Sequence, residues 1–77
     1  MIKPKNKEWI VVNHVFYEDS GRIYGYKLRN KGSKHKIISI KTGNELLKKG
    51  IIEESLMLEL SLCTVPLGFI EDTEGLL

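Results

Sequence analysis

The sequence predicts an α+β domain: a small, mostly antiparallel sheet of four to five strands with one short helix, in the order β-β-β-α-β with room for a final strand. Three observations carry that prediction. Residues 9–17, WIVVNHVFY, are β-branched and aromatic. Residues 22–30 alternate apolar and polar side chains, and residues 42–50 hold one helical segment with its own start and stop signals.

Branched and aromatic side chains lose rotamer freedom against a helical turn and pack well on a pleated surface, so residues 9–17 read as a strand. Its apolar residues occupy both parities, which predicts a central strand covered on both faces. Glu18-Asp19-Ser20-Gly21 is a turn cluster in which Gly21 can take a positive φ and Asp19 can bond the local backbone. The following strand, residues 22–30, places Tyr24, Tyr26 and Leu28 on a core face and Gly25, Lys27 and Arg29 on a wet, basic one. Asn30–Lys34 reads as a second, looser turn, and HKIISI as a short third strand.

Thr42-Gly43-Asn44-Glu45 has capping-box spacing, in which a hydroxyl and a carboxylate satisfy two orphan backbone donors of a helix start. Leu46 and Leu47 face inward. Lys48 and Lys49 sit in the last turn, where the carbonyl end of the macrodipole favours cations, and Gly50 suits the left-handed stop. So short a helix does not persist alone in water and must dock on the sheet. In residues 53–64, Leu56, Leu58, Leu60 and Leu62 recur at period two. Leu56, Leu60 and Cys63 also fit a helix, but the sustained alternation favours a strand. Beyond Pro66 and Gly68, Phe69 and Ile70 offer a short final edge segment. The chain thus divides into a flexible basic arm (1–7), a single α+β domain (8–70) and a partly mobile acidic tail (71–77).

Seventy-seven residues with 42% apolar and 29% charged side chains make one ordinary globular domain, with a thin margin of stability because so short a chain buries little of its surface. The start, MIKPKNKEW, has a basic opening but no apolar h-region of a signal peptide after it, and no run approaches the ~20 apolar residues that span a bilayer. A cytoplasmic protein without a membrane partner is expected. The net charge of +2 conceals an asymmetry: all twelve bases lie at or before Lys49, giving +8 for residues 1–49 and −6 for residues 50–77. Such a dipole bears on association rather than on fold, and it leaves head-to-tail homo-oligomers open.

No catalytic constellation stands out. Cys63 is the lone cysteine, and with two distant histidines it cannot complete a four-ligand zinc site. Flanking an apolar strand, it reads as a structural thiol rather than a nucleophile. Glu53 and Glu54, like Glu71 and Asp72, are sequence neighbours, which on a strand face opposite ways and do not pair for acid and base work. TGNELLKKG lacks the glycine and lysine arrangement of a phosphate loop. The chain is read as a non-enzyme with no cofactor and no metal. What remains is a basic set, Lys27, Arg29, Lys31, Lys34, Lys36 and Lys41, with Lys3, Lys5 and Lys7 in the arm. These lysines either keep a small sheet soluble and guard its edges, or they bind a macromolecule.

Residues 25–62 resemble a pattern in short uncharacterised proteins of low-GC Gram-positive bacteria and their phages: a Tyr-x-Leu-Arg-like strand end, a glycine turn, a short strand, a helix closing in Lys-x-Gly-Ile, and an alternating strand. Tyr26, Leu28, Arg29, Leu46, Leu47, Gly50 and Ile51 carry it. No function is assigned to such proteins, and the resemblance implies only a bacterial, phage-related accessory or inhibitor role. The functional expectation is a small domain that binds another protein through an exposed sheet edge and the charged surface around Lys27–Lys36. The alternative is a nucleic-acid-binding accessory protein that neutralises phosphates with the same bases.

Overall fold

The strand-forming run that opens the domain becomes the centre of the sheet. A computed structural model describes residues 8–55 and 62–76. It contains β1 (Trp9–Tyr17), β2 (Ile23–Arg29), β3 (His35–Ser39), α1 (Ile40–Lys49), β4 (Ile52–Glu54) and β5 (Cys63–Val65). The fold is α+β: one helix and a five-stranded mixed sheet of order β3-β2-β1-β4, with β5 also on β1. The first three strands form an antiparallel meander. The helix then reverses the chain, so β4 sets out in the direction of β1 and pairs with it in parallel at Trp9–Val11, and β5 does the same at Val15–Tyr17. Because β2 occupies one edge of β1, β4 and β5 share the other.

Two bulges alter the simple alternation. Val11 faces Leu28 but Asn13 faces Lys27, so Val12 is an extra residue, and both Val11 and Val12 are buried. Likewise Val15 faces Gly25 while Phe16 faces Ile23, which leaves Tyr24 as the extra residue of β2. The core is accordingly split. Val11, Tyr26, Leu28, Ile38, Leu46, Ile52 and Leu76 pack as one cluster, with Trp9 and Leu47 against it. Val15, Tyr24 and Val65 form a second, joined by Tyr17, Ile37, Cys63 and Phe69. Ile37 and Ile38 are neighbours on β3 and belong to different clusters, so the clusters lie on opposite faces of the sheet. This corrects the expectation that Tyr24 shares a face with Tyr26 and Leu28: all three are buried, but the bulge turns Tyr24 to the other side.

The helix also starts earlier than its sequence signal. Ser39, not Thr42, is the N-cap, and its hydroxyl accepts from the Thr42 amide at 3.3 Å. The C-terminal signal reads true: Gly50 is left-handed (φ 78°), its amide donates to Leu47 at 3.1 Å, and the Ile51 amide donates to Leu46 at 2.9 Å. One face of α1 lies so close to β2 that a β-carbon on Gly43 would strike the Tyr26 ring. The Tyr26 hydroxyl donates to Asn44 Oδ1 at 2.7 Å across this contact.

In the segment expected to be a mobile acidic tail, residues 71–76 are docked. After β5 and the Pro66–Gly68 turn, Phe69 meets Tyr24 edge-on, with ring centroids 5.6 Å apart. The chain then rounds the outer edge of β3, where the Asp72 amide donates to the Ile37 carbonyl at 3.3 Å, and Leu76 inserts in the first cluster with 4% of its surface exposed. Two apolar anchors on opposite faces hold what composition alone presents as a solvated run. No strand forms at Phe69–Ile70; the fifth strand is Cys63–Val65. Residues 1–7, Leu77, and Leu56, Met57, Leu58, Glu59, Leu60 and Ser61 of the alternating run, expected to be a strand, lie outside the described residues. No helix among the described residues is long and apolar enough to cross a membrane.

Candidate interaction surface

The register distributes the basic set over separate places. Arg29 stands in one row with Ile10, Glu53 and His35, and Lys27 in the next with Asn13 and Ile37. Lys36 pairs with Leu28 and therefore points to the opposite face. Lys31 and Lys34 are exposed on the β2–β3 turn, which is closed by the Ser33 amide donating to the Asn30 carbonyl and by mutual bonds between Asn30 and Lys34, and has Ser33 at φ 68°. Lys41 is exposed on α1, where Asn44, Glu45, Lys48 and Lys49 continue the same open helix face. The structure thus brings Arg29 and Lys31 together beside a shallow cleft lined also by Glu8, Ile10 and Asn30. Lys36 and Lys41 stand apart from it.

Lys36 is largely consumed within the fold. Its ammonium lies 3.1 Å from Asp72 Oδ2 and 5.3 Å from the centroid of the Trp9 ring. A cation held between a carboxylate and an aromatic face is poorly placed to meet an external phosphate.

The acid beside Asp72 has a role that the sequence reading missed. Glu71 Oε1 accepts from the Ser39 amide at 2.8 Å, and Oε2 accepts from the Thr42 hydroxyl at 2.9 Å. In a capping box the residue three positions after the N-cap sends its carboxylate back to the N-cap amide. Here that position is Thr42, the first turn has no acid of its own, and Glu71 supplies the carboxylate from 32 residues away. The positive end of the helix dipole favours the same arrangement. Partial burial pushes the Glu71 carboxyl up, but the bonds from Ser39 and Thr42 outweigh it and hold the group below its ordinary value of 4.5. For Asp72 the Lys36 bond leads, with the Glu74 amide adding, and its carboxyl lies below the ordinary 3.8. Tyr24 is shifted the other way, by burial first and then by the nearby Glu71 charge, so its phenol stays protonated beyond the usual range.

Both carboxylates have depressed folded-state values, so their contribution is complete above the ordinary carboxylate range and is lost as pH falls through those lower values. We expect the denaturation midpoint of the wild type to drop on acidification below pH ~4, and the Glu71→Gln/Asp72→Asn variant to drop less over the same range. Urea titrations at a series of pH values check this; parallel profiles would contradict it.

Among the large apolar side chains, Leu62, Leu67 and Ile70 are 81%, 66% and 84% exposed, and they follow one another along the stretch that carries β5 into the docked segment 69–76, the strap. Cys63 is half-buried against the second cluster, and His14 is half-buried with its ring 5.9 Å from that of Tyr26. Among the described residues, no group of three or more His, Cys, Asp or Glu side chains is placed to hold a metal ion. Compared with protein-family models, with curated proteins and with solved structures, the chain gives no significant match.

Proposed function

We propose that the chain is a small non-enzymatic domain that binds another protein. The reading is carried by the exposure of Leu62, Leu67 and Ile70 in one nine-residue stretch beside the edge strand β5. Large apolar side chains this open, close together in sequence, favour contact with a protein surface. The sheet edge that sequence reasoning favoured is engaged on the β3 side by the chain itself, which moves the contact to the side of β4 and β5. The acidic Glu54 is exposed there and selects for a partner with basic groups around an apolar centre.

The nucleic-acid reading draws its support from the exposed Lys31 and Lys34 turn and from the Lys41, Lys48 and Lys49 helix face. It is weakened by the removal of Lys36 into an ion pair and by the division of the remaining bases between turn, sheet and helix.

The experiment is site-specific photo-crosslinking in the native host, with the photoreactive group at position 67 and a control at position 45 on the helix face. The protein reading expects a discrete protein adduct from position 67 that is lost when Leu62 and Ile70 are changed to serine. Adducts only with nucleic acid, or equal adducts from both positions, would overturn it.

A further inference from the structure

We propose that the outer edge of β3, together with the N-terminus of α1, is a receptor for an extended segment bearing two adjacent acidic residues, and that the chain's own strap, residues 69–76, occupies it as an exchangeable cover. This goes beyond the apolar surface around β5, because the receptor groups lie on β3 and α1. The receptor offers a row of matched groups along an extended chain. The Ile37 carbonyl takes a backbone amide, the Ser39 amide and Thr42 hydroxyl take the first carboxylate, and the Lys36 ammonium takes the second. The two acids are consecutive, Glu71 and Asp72, and they turn to different partners as neighbours on an extended chain do.

A sheet edge with free backbone groups is a template for another chain, and proteins cover such edges to prevent unwanted pairing. Here the cover makes one described backbone bond to the strand it protects. Its other polar contacts run through side chains, and the Asp72 side chain is 56% exposed. The cover is tethered at the Pro66–Gly68 turn, where Leu67 is exposed and Gly68 takes φ 88°, a point at which the chain can change direction. The occupant it would yield to is an extended acidic segment of a partner protein, with an apolar residue on either side of the acid pair as Phe69 and Leu76 stand here. Charge complementarity argues for it: the Lys36 ammonium meets the Asp72 carboxylate at this edge, and the Ser39 amide and Thr42 hydroxyl at the positive end of α1 meet that of Glu71.

A fluorescent peptide of the strap sequence, GFIEDTEGLL, added to the full-length protein tests the proposal by anisotropy. The tethered strap competes at a high effective concentration, so the wild type should bind the peptide weakly. The Glu71→Gln/Asp72→Asn protein, whose cover is weakened while its receptor is intact, should bind about tenfold more tightly. A peptide with glutamine and asparagine at the two acid positions should not bind. A folded variant with no gain, or equal binding of the neutral peptide, would overturn the proposal, as would a concentration-dependent dimer that leaves no free site. Hydrogen exchange on the wild type gives an independent reading if the variant does not fold. The amides of Ser39 and Asp72 should open at least ~10-fold more readily than those pairing β1 with β2, and equal protection would refute an exchangeable cover.

Discussion

Replacing Gly25 by alanine is expected to destabilise the domain by about 3 kcal/mol or more, most of what a chain of this size has to lose. Gly25 lies in the middle of β2, between Val15 on β1 and Ser39 on β3. A β-carbon there would meet the Ile38 carbonyl oxygen and the backbone of Ser39, with the Ser39 carbonyl carbon only 2.6 Å away. These are backbone atoms, so no side chain can rotate to make room. The methyl is accommodated only by parting β2 from β3, which also displaces the N-cap of α1. Thermal unfolding followed by circular dichroism should report a fall of about 15 °C or more. Gly50→Ala is the informative control: nothing stands within 4 Å of its added carbon, and its cost is the strain of a positive φ, about 1 kcal/mol. Equal losses for the two variants would show that close approach at Gly25 is not what the strand requires.

Leu46→Ala should cost about 2 to 5 kcal/mol. Leu46 is fully buried, and it is the one helical side chain in the cluster formed by Val11, Tyr26, Leu28, Ile38, Ile52 and Leu76. A helix of ten residues is marginal by itself, so its persistence depends on this docking rather than on propensity. Because Leu76 shares the cluster, the cavity also loosens the anchor of the strap, and protection of the Ser39 amide should fall with overall stability. Leu47→Ala, at a half-buried position beside the cluster, should cost clearly less. Denaturant titration of the two variants checks the ordering, and a larger loss at Leu47 would mean that the helix docks through a different face.

Local pattern made the three antiparallel strands legible, because each is written in a run of contiguous residues: branched side chains in β1, alternation in β2, the short apolar pair in β3. The end of α1 was legible for the same reason, since Lys48, Lys49 and Gly50 act on their own turn. The start was not. Ser39 is capped by a carboxylate from Glu71, and no window around residue 39 contains that partner. The nearby Thr42 and Glu45 therefore supplied a plausible but unused signal. The bulges at Val12 and Tyr24 escaped because an extra residue leaves no mark on composition, yet one of them decides which face receives Tyr24.

The strap illustrates the same limit more strongly. EDTEGLL has the composition of a solvated tail, and only the three-dimensional meeting of Glu71 with Ser39, Asp72 with Lys36, and Leu76 with Leu46 and its neighbours reveals a docked segment. For the basic set, alternation correctly placed Lys27 and Arg29 together. The separation of Lys36 from them follows from the β2–β3 register, which a single sequence does not fix.

The pairing of Glu71 with the start of α1 holds the strap, the β3 edge and the helix in one arrangement. Its most direct test is the amide resonance of Ser39 followed by NMR as pH is lowered from 7 to about 2. The Ser39 amide should titrate as a single carboxylate event below the ordinary Glu value of 4.5, and the event should vanish in Glu71→Gln. A Ser39 resonance indifferent to acid, or one that titrates unchanged in Glu71→Gln, would contradict a helix capped by its own distal strap.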